Sequence, residues 1–185
     1  MARLVYSAIC SLDGFVADAK GNFEWAAPDQ EVHQFVNDVE REIGTYLYGR
    51  RMYEVMREWQ TMDVSSAPAF GREYAEIWRG AEKIVYSRSL EEVSTPLTRL
   101  ERDFDPDEVA RFKENSSSDL SVGGPTLAAE AFRAGLVDDI HLFVVPDLVG
   151  GGTRAMQNGV RRSLRLESER RFANGTVHLH YRDAG

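Results

Sequence analysis

Apolar positions change their period several times along the chain, and each change marks an element. Leu4 to Ser11 is a short continuous apolar run that ends at Asp13-Gly14, so it predicts a buried strand followed by a turn. Gly14 to Trp25 predicts a long loop with exposed Phe15, Val16, Phe23 and Trp25, and loops of that length are often functional. Beyond Pro28-Asp29, the residues Val32, Phe35, Val36, Val39 and Ile43 recur at helical spacing until Gly44. Thr45 to Tyr48 then reads as a strand, Met52 to Trp59 as helical, and Ser65 to Gly80 as a helix with Phe70, Tyr74, Ile77 and Trp78 on one face. Lys83 to Tyr86 predicts a strand, Arg99 to Asp103 a short edge strand, and Asp107 to Lys113 a short helix. Asp119 to Val122 is a strand, Thr126 to Ala134 a helix closed by Gly135, and Asp139 to Val145 a strongly apolar strand. A glycine-rich loop, Gly150 to Gly159, comes next. Leu164 to Phe172 and Thr176 to Tyr181 alternate around Asn174-Gly175, a strong hairpin signal.

Strands alternate with helices up to about residue 145, which predicts an α/β fold: a mostly parallel central sheet between two helical layers, closed by an antiparallel hairpin. No repeat, linker or low-complexity tract divides residues 1–185, so one domain is expected. At 185 residues, 43% of them hydrophobic, the chain can bury roughly 70% of its unfolded surface. Its 22 Lys+Arg against 30 Asp+Glu give a net charge of −8, which argues against nucleic acid or an anionic membrane as the main partner. The lone Cys10, in an apolar run, excludes an internal disulfide or a cysteine-rich zinc site and reads as a core residue. With no run of about 20 apolar residues and no signal-peptide pattern, a cytoplasmic location is expected.

The strongest chemical signal is Val122-Gly123-Gly124-Pro125-Thr126-Leu127, where a buried strand runs into two glycines and then a helix. Proline suits the first helical position, and glycines there let an anion approach the free amides of the helix start. The plainer reading of the same residues is a tight strand-to-helix turn. Gly49-Arg50-Arg51 repeats the arrangement with two cations, and Ser87-Arg88-Ser89 ends a further strand with hydroxyls and a guanidinium. Ligands of open α/β sheets bind beyond the carboxyl ends of strands, so the three sites together point to a dinucleotide. Arg88 suits a 2′-phosphate and hence NADPH. Gly150-Gly151-Gly152-Thr153-Arg154-Ala155 fits G-x-G-x-x-A only formally, because no amphipathic helix follows. His178 and His180 share one face of a strand but lack a third ligand, so no metal is expected.

Four segments carry a family resemblance: Ser11-Leu12-Asp13-Gly14-Phe15-Val16-Ala17, Tyr48-Gly49-Arg50-Arg51-Met52-Tyr53-Glu54, Val122 to Leu127, and Val144-Val145-Pro146 with Gly150-Gly151-Gly152. In this order they resemble the dihydrofolate reductase-like superfamily, most closely the RibD C-terminal reductase domain of riboflavin biosynthesis. The resemblance implies an eight-stranded sheet, NADPH binding and hydride transfer to a small heterocycle. It implies that the loop from Asp13 to Trp25 closes over the nicotinamide and that Gly14 and Phe15 lie at the cofactor. By the same resemblance Gly49, Arg50 and Arg51 meet phosphates, Ser87 and Arg88 the ribose phosphate, and Gly123 to Leu127 the pyrophosphate. In the riboflavin enzyme a companion deaminase domain carries a His/Cys/Cys zinc site, which a chain with one cysteine could not build, so no deaminase activity is expected.

For the reaction itself, nicotinamide is expected across the strand ends near Ala8, Ile9 and Gly124, with Phe15 and Trp25 shielding the reacting carbons. Asp13 is the candidate proton donor, although Asp-Gly is also an ordinary turn pair. Trp25, Asp29 and Glu31 are candidates for the substrate side. True folate reduction and a non-catalytic dinucleotide-binding paralogue are the alternatives. The apolar segment Leu142 to Val145 and the terminal hairpin lead us to expect a homodimer.

Overall fold

The computed structural model describes residues 2–185. Strand β1 (Leu4–Ser11) leads through a short β2 (Phe15–Ala17) and a 3-10 turn (Glu24–Ala26) to helix α1 (Gln30–Glu40) and β3 (Ile43–Gly49). Helices α2 (Arg50–Met56), α3 (Glu58–Thr61) and α4 (Ala69–Gly80) precede β4 (Glu82–Tyr86), β5 (Thr98–Glu101) and α5 (Pro106–Asn115). The chain continues through β6 (Asp119–Gly123), α6 (Pro125–Arg133), β7 (Asp139–Val145) and β8 (Thr153–Arg154), and ends on the hairpin β9 (Leu164–Arg171) and β10 (Val177–Asp183). The main sheet has eight strands in the order β5-β4-β3-β6-β1-β7-β10-β9, and β2 pairs β8 in a small second sheet. From β5 to β7 every pairing is parallel, while β10 runs antiparallel to both β7 and β9.

Alternation along the strands divides the side chains between the two helical layers. Leu4, Tyr6, Leu47, Ile84, Leu120 and Val122 pack with Val109 of α5 and Ala128, Ala131 and Phe132 of α6. Val5, Tyr46, Tyr48 and Val85 face the other way, toward Met56 and Trp78, and Phe143 meets Val32 of α1. Burying each large apolar side chain contributes about 1.5–3 kcal/mol relative to leaving it exposed, and this holds the three layers together.

Four boundaries differ from the sequence expectation, each because of a contact distant in the chain or a local stop. Ile43 belongs to β3 and not to α1. Gly44 is no stop signal: a Cβ there would lie 2.6 Å from Ser118 Cβ, so glycine permits the close approach. Helix α4 starts at Ala69 because Pro68 ends the extended approach. The segment after Asp13 is not a bare loop: Phe15 is buried, and β2 pairs antiparallel with β8 in the register Phe15↔Arg154 and Ala17↔Thr153.

Candidate active site

A gap between strands forms the centre of the site. Strands β1 and β6 pair only at Leu4↔Leu120 and Val5↔Ser121, whereas β1 follows β7 up to Ser11↔Val145 and β6 follows β3 up to Tyr48↔Gly123. Beyond Val5 the two central strands therefore part. Arg3 O accepts from Leu120 N on β6 and Leu4 O from Asp138 N on the β7 side, which fixes the alternation of peptide groups. Odd-numbered residues turn theirs toward β6, so the amides and carbonyls of Ser7 and Ile9 border the gap. Those of Ala8 belong to the β1–β7 ladder. Sequence reasoning named Ala8 and Ile9 and missed Ser7.

Across the gap, β6 ends in the two glycines. Gly124 has φ 91° and ψ 126°, a conformation that L side chains rarely adopt, and a Cβ there would lie 3.2 Å from Met52 Cβ. Gly123 is required by its neighbour, since a Cβ would come within 2.5 Å of the Tyr48 ring. No side chain caps α6, Pro125 has no N–H, and the first backbone bond runs from Ala128 N to Gly124 O. The amides of Thr126 and Leu127 are thus free of intrahelical partners at the positive end of the helix dipole. Val122 is fully buried and supports this turn from beneath.

The other cofactor candidates gather at the same level. Gly49 pairs with Tyr86 and Tyr48 with Gly123, so β3, β4 and β6 end side by side. Gly49 caps α2 without a side-chain bond, and a Cβ on it would lie 3.9 Å from Leu127 Cβ; the two helix starts adjoin. Arg50 reaches Ser89 Oγ at 3.0 Å and Glu54 at 2.7 Å. Ser87 is buried, and its hydroxyl accepts from the amides of Ser89 and Leu90, which shapes the turn. Arg88 projects into solvent at 84% exposure and pairs with Asp103, and Arg102 braces the Ser87 carbonyl. Arg51 is exposed. Four guanidiniums thus stand on one edge, two of them paired with carboxylates, Arg50 with Glu54 and Arg88 with Asp103.

Asp13 takes a different role from the one its position suggested. Its carboxylate accepts from Ser11 Oγ at 2.6 Å, Gly150 N at 2.7 Å and Val149 N at 3.1 Å. These bonds, the Ser11 hydroxyl foremost, hold its pKa down to about 2. Such a group stays anionic and has no proton to donate near neutral pH. It instead ties the segment after β1 to the glycine-rich segment. Leu12 N donates to Asp147 O, Ala155 N to Gly14 O, and the buried Tyr6 hydroxyl to Ala155 O. The guanidinium of Arg154 lies over the Phe15 ring. Gly152, at φ 134°, is pressed so closely on β2 that a Cβ would fall 2.1 Å from Ala17 O. That contact accounts for Gly152, and the positive φ of 78° for Gly150, in the G-x-G-x-x-A pattern.

On the α1 side of β1 lies a cavity of about 150 Å³ lined by Ile9, Trp25, Val32, Val145, Asp147 and Thr176, among others. Ile9 links it to the gap: its peptide borders the gap and its side chain lines the cavity. The substrate-side carboxylates expected from the sequence do not enter it. Asp29 caps α1 by accepting from Val32 N at 3.0 Å. Glu31 is paired with Arg170 at 2.9 Å and accepts from Ala173 N. Trp25 does line the cavity, with its indole N–H donated to Asn22 O.

The histidines of β10 are held by neighbours on β7. His178 is buried at 2% exposure and bonded to His141 at 2.9 Å, and His180 is bonded to the buried Asp139 at 2.7 Å. Among the described residues no group of three or more His, Cys, Asp or Glu is arranged to hold a metal, and no helix is long and apolar enough to cross a membrane.

A mostly parallel eight-stranded sheet parted at its centre, with a glycine pair across the gap and a terminal hairpin, defines the dihydrofolate reductase-like fold. The RibD C-terminal domain family matches residues 2–178, and the chain belongs to that family. It is 26% identical over 183 residues to the protein YyaP of Bacillus subtilis strain 168, covering 97% of this chain and 94% of that protein. A Shewanella sp. PV-4 protein assigned to riboflavin biosynthesis superposes with a TM-score of 0.76 at 18% identity, over 100% of both chains. The Thermotoga maritima diaminohydroxyphosphoribosylaminopyrimidine deaminase/5-amino-6-(5-phosphoribosylamino)uracil reductase gives 0.67 at 16% identity, over 99% of this chain and 57% of that one. Enterococcus faecalis dihydrofolate reductase, solved with NADP(H), gives 0.67 at 12% identity, over 99% and 97%. At these identities the superpositions show the fold.

Proposed function

We propose that this chain is an NADPH-dependent reductase that transfers hydride to a small heterocyclic substrate. The observation that carries the proposal is the coincidence of a parted sheet centre with the Gly123-Gly124 turn and the uncapped start of α6. A diphosphate fits there because glycine leaves the amides of Thr126 and Leu127 open. Arg50 and Arg51 stand beside that place, and Arg88 with Ser89 offers a donor set for a 2′-phosphate. Ser7 and Ile9 present the peptide donors and acceptors that a carboxamide needs. When bound, the nicotinamide supplies the hydride; the chain supplies position and exclusion of water. Phe15, two residues beyond the Asp13 clamp, and Trp25, held by Asn22 O, close the site from the loop side. Of the nominated carboxylates, Asp13, Asp29 and Glu31 all have oxygens already engaged, so water at the cavity mouth delivers the accompanying proton.

Family membership and an NADP(H)-bound relative of the same fold support this reading. Calorimetric titration with NADPH, followed by NADPH oxidation against a panel of pyrimidine and pterin acceptors, tests it. Absence of NADPH binding would end it. Tight methotrexate binding with turnover of dihydrofolate would replace it by folate reduction, and binding without turnover of any acceptor by a non-catalytic dinucleotide-binding protein.

As partner we propose a second copy of the chain, joined along β9. All eight residues of that strand are exposed, Leu164 at 40% and Leu166 at 47%, and it pairs only with β10. Its free backbone groups can pair with another strand, and its five charged residues, of both signs, restrict that pairing to a partner of complementary charge. Laid antiparallel against itself, the strand can set Glu167 opposite Arg170 in both directions.

A further inference from the structure

Charge is segregated across the site, and this bears on the substrate. Every guanidinium described above for the cofactor edge, Arg50, Arg51, Arg88 and Arg102, lies beyond the ends of β3 and β4. The cavity beside Ile9 is lined by no lysine or arginine among the described residues; its one ionisable side chain is Asp147. That carboxylate is exposed at the rim, and no hydrogen bond or ion pair holds it among the described residues, although its backbone oxygen accepts from Leu12 N. Arg170, on the neighbouring β9, is already committed to Glu31 at 2.9 Å and stacked on the Phe172 ring.

Size and shape add to this. The cavity is open to solvent on one side, and its volume of about 150 Å³ matches one benzene-sized ring for the part of a ligand held inside it. Trp25 offers an aromatic wall, Ile9, Val32 and Val145 an apolar floor, and Asn174 and Thr176 polar groups near Asp147. We infer that the cavity holds a single-ring, non-phosphorylated heterocycle whose N–H or amino groups donate to the Asp147 carboxylate. This rests on the reductase reading for its place beside the gap. It departs from the phosphoribosyl substrate named for the Thermotoga maritima enzyme, because among the described residues the cavity lining offers a phosphate dianion a like charge and no cation, and the neighbouring Arg170 is already paired with Glu31.

The test is a fluorescence titration of the intact protein with 5,6-diaminouracil and with 5-amino-6-(5-phosphoribosylamino)uracil, which share the ring and differ in the phosphoribosyl group. A Trp25→Phe protein identifies the Trp25 signal. The expected result is quenching by diaminouracil, with affinity about tenfold or more above that of the phosphorylated compound. Asp147→Asn keeps an acceptor but removes its charge, and should weaken diaminouracil about fivefold, the difference between a charge-assisted and a neutral hydrogen bond. Ala27→Arg, which adds a cation to the lining, should reverse the preference. Equal or tighter binding of the phosphorylated compound, no quenching by either probe, or an unchanged Asp147→Asn affinity would overturn the inference. NADPH affinity is measured separately: its loss with diaminouracil binding intact refutes the reductase reading, not the cavity assignment.

Discussion

Replacing Gly124 by alanine is the most direct test of the cofactor cradle, because the structure separates the two costs of the added methyl. The first is conformational. At φ 91° and ψ 126° a residue with a Cβ sits in a sparsely populated region, at about 1–3 kcal/mol. For a chain of this length 1 kcal/mol moves the melting temperature by about 2–4 °C, so this part alone predicts a fall of about 2–12 °C. The second cost is crowding: the new Cβ lies 3.2 Å from Met52 Cβ, and α2 must yield by a few tenths of an ångström. Gly21→Ala supplies a reference for a methyl at positive φ without crowding, since Gly21 has φ 84° with nothing within 4 Å of an added Cβ and lies outside the cradle. The methyl at Gly124 would stand between the two adjoining helix starts, where a diphosphate must rest. Losing one charge-assisted amide contact costs about 1.5–3 kcal/mol, so NADPH should bind about 10- to 150-fold more weakly. Thermal melts and calorimetric titration of wild type, Gly124→Ala and Gly21→Ala make the comparison. If Gly124→Ala melts lower yet binds NADPH with wild-type affinity, glycine is present there only for the turn, and the cradle is refuted.

Four further outcomes follow from the geometry. Asp13→Asn should lower turnover and speed amide exchange across residues 147–155 without removing any ionisation from the pH–rate profile; a lost ionisation limb would instead make Asp13 the acid. Arg88→Ala should weaken NADPH about three- to tenfold and leave NADH nearly unchanged, since so exposed a cation contributes modestly; equal losses in calorimetry would remove it from the 2′-phosphate. Burial, with His180 adding to it, pushes His141 down to about 3 and His178 down to about 4. The unfolded chain therefore binds protons that the folded chain refuses, and stability is full above pH about 6.5 and falls as pH drops toward 4. Thermal melts between pH 7.5 and 5 should show that slope, and His178→Gln should flatten it; identical slopes would contradict the burial account. Leu166→Asp should convert a dimer to monomer in sedimentation velocity, and a monomeric wild type would dispose of the β9 contact.

Local signals in the sequence carried the fold. The apolar run of β1, the strand–glycine–glycine–proline–helix of β6 and α6, and Asn174-Gly175 each settle their own conformation within a few residues, so they could be read without the rest of the chain. The errors lie where a distant partner decides. Ile43 passes from helix to strand and Gly44 from stop signal to close contact because of Ser118 on a neighbouring connection. Phe15 looks like an exposed loop residue until β8 arrives to pair with it. The two backbone donors that make Asp13 a clamp are the amides of Val149 and Gly150, and nothing local distinguishes a clamped Asp-Gly from a free one. Ser7 was missed for a subtler reason: strand polarity tells which side chains are buried, but only the partner strands tell which peptide groups are left unpaired.

That distinction divides the site in two. The half proposed for the cofactor is built mainly from backbone, namely helix-start amides, glycines without Cβ and peptide groups bordering a gap, and backbone geometry leaves a signature in glycine and proline. The cavity half is built from side chains delivered by unrelated elements: Trp25 from the 3-10 turn, Val32 from α1, Val145 from β7, Asp147 after it and Thr176 from the hairpin. Each is an ordinary residue in its own segment, and only their convergence gives them meaning. A fold organised in this way can hold its cofactor constant while its acceptor changes, because exchanging Asp147 or Ala27 disturbs no hydrogen-bonded turn, whereas exchanging Gly124 disturbs the backbone itself.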